Sequence, residues 1–282
     1  MAPTPTAIIT GGGSGIGFAV AEFLVQKRWR VLIVDVVESR CEQAAQKLGC
    51  SCATADISDY DQQVQVFEKA WKEFGKLDFV FANAGLTDTF PFYKPVAAYP
   101  PPRPDLKAGD VNFTGTIYTC YLAMQYFRRN PAGSSGTLIA TSSGAGVYSA
   151  PPIPVYAAAK HAVVGLVRAI APVLAKEGIF VHAILPGAVA TNVVDPKSME
   201  GFGDTIYTPV GDIVNAVDAL LLGEFAKAGI TGRIIEVSRG SLHHRDQPAY
   251  CDETMASVMQ LLAVADEIKS TNTGDAVSGI KL

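Results

Sequence analysis

The stretch TGGGSGIG at residues 10–17 follows the apolar run Ala7–Thr10 and opens a segment with helical periodicity. Glycine lets a backbone turn tightly and approach a pyrophosphate, and a helix N-terminus offers unpaired N–H groups and a positive dipole. Asp35 ends the next apolar run, 18 residues after Gly17, where a carboxylate can bind a dinucleotide ribose. A glycine turn can also be purely structural, but this order of strand, turn, helix and acid favours a dinucleotide site. The predicted contacts here are Gly11, Gly13, Ser14, Gly15, Ile16, Gly17 and Asp35.

Asp35 also bears on which nicotinamide cofactor would bind. A carboxylate accepts hydrogen bonds from a ribose diol and repels a 2′-phosphate, whereas NADP sites usually supply Arg or Lys nearby. Ser14 and Val36 occupy the neighbouring positions, and neither is basic. Arg40 lies one helical turn further along and could still reach a phosphate. We therefore predict NAD as the cofactor, with NADPH as the alternative.

Outward from this turn, short aliphatic or β-branched runs alternate with longer segments of helical period, which is typical of a parallel sheet with crossover helices. The candidate strands are Ala7–Thr10, Val31–Asp35, Ser51–Ala55, Phe79–Ala82, Thr137–Thr141, Phe180–Leu185 and Arg233–Val237. The candidate helices are Ile16–Gln26, Ser39–Leu48, Asp59–Phe74, Asp105–Arg128, Val155–Lys176 and Gly211–Gly223. This pattern predicts an α/β fold.

Three stretches interrupt the alternation. Thr87–Pro104 is rich in aromatic residues and proline and is predicted to be a loop, because proline cannot continue a helix or an interior strand. Ala190–Pro209 follows a strand end, where open α/β sheets place ligand-gating loops. The tail beyond Ser238 contains one amphipathic stretch, Thr254–Ile268.

Composition narrows the class of protein. Hydrophobic residues make up 49% and charged residues 18% of the 282 residues, enough for a large core and too little charge for a disordered chain. The net charge of −4 lacks the basic excess that nucleic acid binding requires. Apolar runs are too short to span a bilayer, no signal-peptide pattern opens the chain, and five scattered cysteines give no metal spacing. We predict a cytoplasmic, soluble protein without a membrane span, a metal site or nucleic acid as a partner.

Tyr156 and Lys160 stand four residues apart on a predicted helix, so both side chains project from one face. A tyrosine hydroxyl is a poor base at neutral pH until a nearby cation stabilises its phenolate, and Lys160 could supply that cation. Such a pair alone is more often a surface feature. Ser143, just past the end of a predicted strand, could hold a substrate oxygen and favours the catalytic interpretation.

Seven motifs occur in order between about residues 6 and 240. They are TGGGSGIG at 10–17, Asp56-Ile57, Asn83-Ala84-Gly85, Asn112-Phe113-Thr114-Gly115, Ser143, Tyr156-Ala157-Ala158-Ala159-Lys160, and Pro186-Gly187 with Thr191. Together they resemble the short-chain dehydrogenase/reductase (SDR) family, and are similar to 15-hydroxyprostaglandin dehydrogenase-like members and dehydrogenases of secondary metabolism. The resemblance implies a Rossmann-like, doubly wound sheet of seven parallel strands in a single domain, residues 1–240. Residues 241–282 are then expected to be an extension that packs on the same domain or on a neighbouring subunit.

The same resemblance implies roles for the motif residues. Tyr156 is the expected general acid/base, Lys160 holds the nicotinamide ribose and lowers the pKa of the tyrosine, Ser143 orients the substrate oxygen, and Asn112 organises a water-linked proton relay. Further cofactor contacts are expected from Asp56 and Ile57 at the adenine, from Asn83, Ala84 and Gly85 beside the cofactor, and from Pro186, Gly187, Val189 and Thr191 near the nicotinamide. Asn83 could instead only satisfy backbone groups at a strand end.

The substrate is less well indicated, because the proline-rich insertion at 87–104 departs from the family pattern. The segments expected to face it are apolar and aromatic, which favours a lipophilic secondary alcohol. The named candidates are Tyr148, Ile153, Phe92 and Tyr207. We therefore predict an NAD-dependent alcohol dehydrogenase that forms a homodimer or homotetramer. The alternatives are an NADPH-dependent ketoreductase and an SDR-fold protein with a non-redox role, such as a cyclase or a binding protein.

Overall fold

A computed structural model describes residues 4–97, 99–131, 135–191 and 206–271 of the chain. Two compact units are present, Met1–Arg245 and Asp246–Leu282. Most of the loop predicted at Ala190–Pro209 and the last eleven residues of the chain lie outside the described residues.

The first unit is built on a sheet whose order is β3-β2-β1-β4-β5-β6-β7-β8. From β3 to β7 all neighbouring strands run parallel, and the order reverses between β1 and β4, with crossover helices on both faces. The doubly wound, Rossmann-like α/β fold is therefore confirmed. The strands are β1 Thr6–Thr10, β2 Arg30–Asp35, β3 Ser51–Thr54, β4 Phe79–Ala82, β5 Gly136–Thr141, β6 Ile179–Pro186, β7 Ile234–Ser238 and β8 Ser241–His244.

The eighth strand corrects the predicted count of seven. Arg239 and Gly240 have φ angles of 42° and 80°, and they form a tight turn that returns the chain beside β7. β8 pairs antiparallel with β7, with Ile235 opposite His244 and Val237 opposite Leu242. Its polar sequence, SLHH, lacks the apolar run that identified the other strands.

The helices follow the predicted alternation with one interruption. The predicted helix Asp105–Arg128 is divided into a short helix, a π-helical turn at Asp110–Gly115 and a longer helix. The helices of the first unit are α1 Gly15–Gln26, α2 Glu38–Leu48, α3 Tyr60–Phe74, α4 Lys107–Gly109, α5 Thr116–Phe127, α6 Pro154–Ala175, α7 Val210–Leu221 and α8 Glu224–Lys227, with a 3-10 turn at Gly144–Gly146.

Side chains alternate along the central strands and bury both faces of the sheet. On one face Ile8, Leu32 and Val80 pack in a cluster that also contains residues of α3, α5 and α6. On the other face Ile9 and Ile33 pack in a cluster with residues of α1 and α7. Because the strands are parallel, their carboxyl ends come together at one edge of the sheet, and so do the loops that follow β1, β2, β4, β5 and β6.

α6 is long and apolar enough to cross a membrane by length and composition, the one such helix in the described part of the chain. Its residues Val163, Val164 and Val167 are buried in the same hydrophobic cluster as Leu138 of β5 and Val181 of β6. The core helix of a globular domain meets the same criterion, so this helix gives no clear indication of a membrane span.

The second unit contains one helix, α9 at Glu253–Thr271, within its described residues. Its first turn is capped by Asp252, whose Oδ1 accepts a hydrogen bond of 2.7 Å from the Met255 amide. The helix is longer than the predicted amphipathic stretch Thr254–Ile268. The assignment of residues 241–282 as an extension of the domain stays a prediction.

Candidate active site

A cavity of about 580 Å³ opens at the carboxyl ends of the central strands. Its walls come from the loops that follow β1 to β6, together with the first two turns of α1 and α6. The site lies where the strand order reverses between β1 and β4. Ligands of open α/β sheets bind at such a switch point.

The glycine turn has the backbone that the sequence requires. Gly11 and Gly15 have φ angles of 66° and 54°, in the left-handed region that favours glycine. A Cβ on Gly13 would lie 2.6 Å from the Asp35 Oδ2, and one on Gly17 would lie 2.2 Å from the Gly11 carbonyl oxygen. Ser14 precedes α1, and within the described residues its hydroxyl makes no capping bond to the helix. Ser14, Gly15 and Ile16 line the cavity where α1 begins, and the N-terminus of a helix is a favourable place for a phosphate group.

Replacing Gly17 by alanine is expected to weaken cofactor binding, because the new Cβ has no room. Gly17→Ala must displace the Gly11 carbonyl and with it the turn, so we expect the dissociation constant for NADH to rise at least about tenfold, or ~1.4 kcal/mol. Fluorescence titration with NADH measures the effect. Gly211→Ala in α7 is the control, because a Cβ there meets no atom within 4 Å. Equal affinity for the two variants would contradict the proposed role of the turn.

Asp35 is buried and its carboxylate is held by three neighbours. Oδ2 accepts a hydrogen bond from the Gly13 amide at 3.2 Å, and Oδ1 accepts one from the Val37 amide at 3.1 Å. The Arg40 guanidinium also donates to Oδ1, from Nη2 at 2.5 Å and Nε at 3.2 Å. Asp35 and Arg40 both line the cavity, so a carboxylate and a cation meet in its wall.

Asn83 joins three strand ends at the wall of the cavity. Its Nδ2 donates to the Thr10 carbonyl at 3.1 Å, and its Oδ1 accepts from the Thr141 hydroxyl at 3.1 Å. The backbone amides of Asn83 and Ala84 donate to the Thr10 hydroxyl. The Asn83 side chain therefore satisfies backbone and hydroxyl groups at the strand ends, and the residue also lines the cavity. Its structural role is observed, and its contact with a cofactor stays a prediction.

The predicted catalytic residues converge at the other end of the cavity. Ser143 begins the 3-10 turn after β5, and its Oγ accepts a bond of 3.2 Å from the Ala145 amide. Tyr156 lies in the first turn of α6, and the Lys160 Nζ is 5.5 Å from the centroid of its ring. Burial raises the pKa of the Tyr156 phenol, while a hydrogen bond with the Ser143 side chain acts in the opposite direction. Serine, phenol and ammonium thus share one wall.

Lys160 is almost completely buried, with 3% of the residue exposed. Its Nζ donates to the Thr141 carbonyl at 2.8 Å, and its own carbonyl accepts from the Ser142 hydroxyl at 2.8 Å. Burial lowers the pKa of Lys160 from an ordinary value of 10.5 to about 8. A buried ammonium that titrates near neutral pH is typical of functional sites.

Asn112 lies in the π-helical turn and is fully buried. Its Oδ1 accepts from the Leu86 amide at 3.0 Å and its Nδ2 donates to the Leu86 carbonyl at 2.6 Å. Its backbone carbonyl accepts from the Thr116 hydroxyl at 2.9 Å. Asn112 therefore fixes the loop that follows β4, and its role in a proton relay stays a prediction.

Most predicted cofactor contacts lie in the cavity wall. In the described structure Gly13 and Gly17 do not line the cavity, and they pack closely against Asp35 and the Gly11 carbonyl. The wall residues that were predicted from the sequence are Gly11, Ser14, Gly15, Ile16, Asp35, Asp56, Ile57, Asn83, Ala84, Gly85, Ser143, Tyr156, Lys160, Pro186, Gly187, Val189 and Thr191.

The predicted substrate contacts are placed differently. Among the residues that the structure describes, the cavity wall includes none of Tyr148, Ile153, Phe92 and Tyr207. The Tyr148 hydroxyl donates to Glu236 at 3.1 Å and accepts from Arg245, which anchors it at the edge formed by β7 and β8. Phe92 is 51% exposed and packs on Phe90 and Tyr93 of its own loop.

Five further residues line the cavity on the side of Tyr156, and none of them was predicted from the sequence to be a site residue. They come from the segment that follows β4, from α4 and from the π-helical turn, and they are Leu86, Thr87, Thr89, Lys107 and Val111. A signal for the first three was present, because they directly follow Asn83-Ala84-Gly85 at the carboxyl end of a central strand.

Comparisons with known proteins agree with this architecture. A family model described as short chain dehydrogenase matches residues 5–200. The short-chain dehydrogenase/reductase prx7 of Penicillium rubens is 35% identical over 282 residues, covering 92% of this chain and 100% of that protein. The 2,5-dichloro-2,5-cyclohexadiene-1,4-diol dehydrogenase of Sphingobium indicum is 36% identical over 219 residues, covering 73% and 82%. A solved short chain dehydrogenase from Mycobacterium paratuberculosis bound to NAD superposes with a TM-score of 0.73 at 25% identity, covering 84% and 97%.

Proposed function

Since the chain belongs to the short-chain dehydrogenase family of oxidoreductases, we propose that it transfers a hydride between a lipophilic secondary alcohol, or its ketone, and NAD. One observation carries this proposal. Ser143, Tyr156 and Lys160 share one wall of a cavity whose other end holds the glycine turn and Asp35. A reacting alcohol beside Tyr156 would then lie within the same cavity as a dinucleotide bound along the turn.

In the proposed mechanism Tyr156 is the group that moves the proton. As a phenolate it accepts the proton of the alcohol, and as a phenol it returns a proton to the carbonyl oxygen in the reverse direction. Burial alone disfavours the phenolate. The Lys160 ammonium, 5.5 Å from the ring centroid, supplies the opposite charge that stabilises it. Ser143 donates its hydroxyl hydrogen to the substrate oxygen and so orients it.

The residues present fit a nicotinamide dinucleotide. Ser14, Gly15 and Ile16 line the cavity where α1 begins, and the amides at a helix N-terminus suit a pyrophosphate. Asp35 and Arg40 line the cavity where the ribose would lie, and Val36 and Ile57 line it where the adenine would lie. When bound, NAD supplies the acceptor for the hydride. Lys160 lines the cavity, and its Nζ, now bonded to the Thr141 carbonyl, would bind the nicotinamide ribose.

The substrate class follows from the wall next to Tyr156. Leu86 and Val111 offer apolar surface, whereas Thr87, Thr89 and Lys107 offer polar groups. This mixture suits an alcohol with an apolar body and a second polar group. The Sphingobium relative is named for a cyclic diol, which is such a molecule.

A screen of cyclic and acyclic secondary alcohols, with NADH formation as the readout, tests the proposed function. We expect turnover with several lipophilic alcohols and none with sugar phosphates. Absence of NAD-linked and NADP-linked turnover with every alcohol and ketone, despite tight NADH binding, would favour the non-redox alternative. A cytoplasmic location and assembly into homodimers or homotetramers stay predictions.

Arg40 supports a second candidate, a reductase that uses NADPH. Its guanidinium lies in the cavity wall against Asp35, where it could bind a 2′-phosphate if the carboxylate were absent. Asp35 is nearly buried and cannot turn away from the ribose without losing the Gly13 and Val37 amides. Its fixed charge therefore favours NAD.

This competition gives a prediction about cofactor choice. Asp35→Ala leaves Arg40 as the local charge, so we expect the ratio of kcat/KM for NAD over NADP to fall about 100-fold. Arg40→Ala is the matched variant, and it should keep NAD turnover within about threefold while further weakening NADP use. Steady-state kinetics with both cofactors measure the ratio. A wild-type preference for NADPH would overturn the NAD proposal.

A further inference from the structure

Asp88 lies in the loop that follows β4, three residues beyond Gly85, and its carboxylate contacts the first turn of α6. Oδ2 accepts a hydrogen bond of 2.9 Å from the Val155 amide, and Oδ1 accepts one of 2.8 Å from the Tyr156 amide. The residue that precedes the helix, Ile153, makes no side-chain cap. Two amides at the start of α6 are therefore satisfied by a side chain 67 and 68 positions away in the sequence.

Both hydrogen bonds to the Asp88 carboxylate are charge-assisted and therefore strong. A carboxylate forms short, charge-assisted hydrogen bonds with backbone amides, and the positive end of a helix dipole favours a negative charge. Because each oxygen takes one amide, the carboxylate also fixes the direction of the first turn. One of these amides belongs to Tyr156 itself, so the backbone that carries the phenol is held directly by Asp88.

The residues on either side of Asp88 face the cavity. Thr87 and Thr89 both line its wall next to Tyr156. The same segment is held at its start by the two hydrogen bonds between Leu86 and Asn112. A substrate that contacts Thr87 or Thr89 therefore meets a segment with two fixed points, and one of them is the helix that carries Tyr156.

We propose that Asp88 is a positioning residue for the reaction, which joins the substrate-facing segment Leu86–Thr89 to the backbone of Tyr156. This inference rests on the proposed function, because it requires Tyr156 to be the acid/base. Asp88 itself does not touch the reacting atoms. Its effect is to keep the phenol at a fixed distance from a substrate held by the neighbouring threonines, and misplacement of a catalytic group by about 1 Å can reduce the rate about 100-fold.

Two substitutions at Asp88 test this role against a matched helix cap. Asp88→Ala removes both acceptors, and Asp88→Asn keeps one acceptor oxygen without the charge. Asp59 is the control, because it caps α3 by accepting from the Gln62 amide at 3.1 Å and from the Gln62 side chain at 3.0 Å, and it does not line the cavity in the described structure. Asp59→Ala therefore removes a comparable cap from a helix without catalytic residues.

We expect Asp88→Ala to lower kcat about 10- to 100-fold with the affinity for NADH unchanged, and Asp88→Asn to lie between it and the wild type. Asp59→Ala should lower the melting temperature by a few degrees with kcat unchanged at saturating cofactor. Equal kcat values for Asp88→Ala and Asp59→Ala would overturn the proposal. If Asp88→Ala does not fold, Asp88→Asn decides: a kcat at least threefold below wild type supports the role, and a wild-type kcat overturns it.

Hydrogen exchange separates this inference from the proposed function. The Val155 and Tyr156 amides should exchange faster in Asp88→Asn than in Asp59→Ala, whether or not an alcohol is turned over. Unchanged exchange at these amides would overturn the contact itself. A wild-type enzyme that oxidises no alcohol would instead remove the proposed function, with the exchange result intact.

Discussion

Tyr156→Phe is expected to lower kcat for alcohol oxidation about 10³-fold, because the substitution removes the one hydroxyl that can accept the alcohol proton and keeps the ring. The Tyr156 backbone amide still donates to Asp88, so the helix should remain in place. We therefore expect the dissociation constant for NADH to change less than about threefold, since a loss of acid/base chemistry leaves cofactor binding almost untouched. Steady-state kinetics together with fluorescence titration of NADH measure both quantities.

Tyr126→Phe is the matched control for this variant. The Tyr126 hydroxyl donates to Glu68, and its ring packs against Phe67 and Trp71, away from the cavity wall of the described structure. Its loss should reduce stability and leave kcat unchanged. Full activity of Tyr156→Phe would remove the proposed mechanism, whereas equal losses in both variants would point to a general effect of removing a tyrosine hydroxyl.

Lys160→Met is expected to give the second largest effect, a fall in kcat of about 10²- to 10³-fold, because the phenolate loses its stabilising cation. The pKa of Tyr156 should then rise further, so the remaining activity should move to higher pH. Lys69→Met is the control, because the Lys69 Nζ also donates to a backbone carbonyl, that of Cys52, but at an exposed position. A pH profile of kcat/KM for both variants checks the shift.

Lys160→Met is also expected to stabilise the folded protein, although it lowers the activity. The pKa of Lys160 in the folded protein is about 8, below its ordinary value of 10.5, so the unfolded chain binds this proton more tightly. The buried ammonium therefore destabilises the fold fully below about pH 8, and the cost disappears as the pH rises toward 10.5. A pKa shift of this size corresponds to a destabilisation of about 3 kcal/mol, which Lys160→Met removes. The substitution also loses the hydrogen bond to the Thr141 carbonyl, which reduces the gain in stability by ~1 kcal/mol.

Thermal unfolding across pH measures this gain. We expect Lys160→Met to unfold at a higher temperature than the wild type near about pH 7, and the difference to shrink by about pH 10. Lys69→Met should show no such gain. A lower melting temperature for Lys160→Met at every pH would mean that burial of the ammonium costs less than its hydrogen bond contributes.

The sequence predicted those features that are decided by residues close together along the chain. Apolar runs identified β1 to β7 to within a few residues, and the glycines followed by an acid located residues that line the cavity. Tyr156 and Lys160 were predicted to share a helix face from their spacing of four residues, and Ser143 was added because it follows a strand end; all three line the cavity. Chemistry that depends on spacing along one strand or helix can be predicted from the chain alone.

Other features depend on contacts between distant segments. Phe92 was predicted to contact a substrate because it lies in the loop that follows β4, and in the described structure it packs on Phe90 and Tyr93 of that loop. Its contact with a substrate stays a prediction. The contact between Asp88 and α6 spans 68 positions and has no local signal. The π-helical turn at Asp110–Gly115 interrupts a helix whose sequence looks continuous. The partner of Asp88 is remote in sequence, and the π-helical turn leaves no break in the helical period, so periodicity carries no information about either feature.

The short outer strands of the sheet have a consequence for behaviour at high concentration. Both edges, β3 and β8, are only four residues long, and all of β8 is exposed and mostly polar. At the other edge the Cys52 carbonyl of β3 already accepts a bond from Lys69. A second chain that tried to extend the sheet would find few free backbone groups and a charged side chain in the way. The protein should therefore resist growth into fibrils by strand addition, even though the strands between these edges are among its most apolar segments.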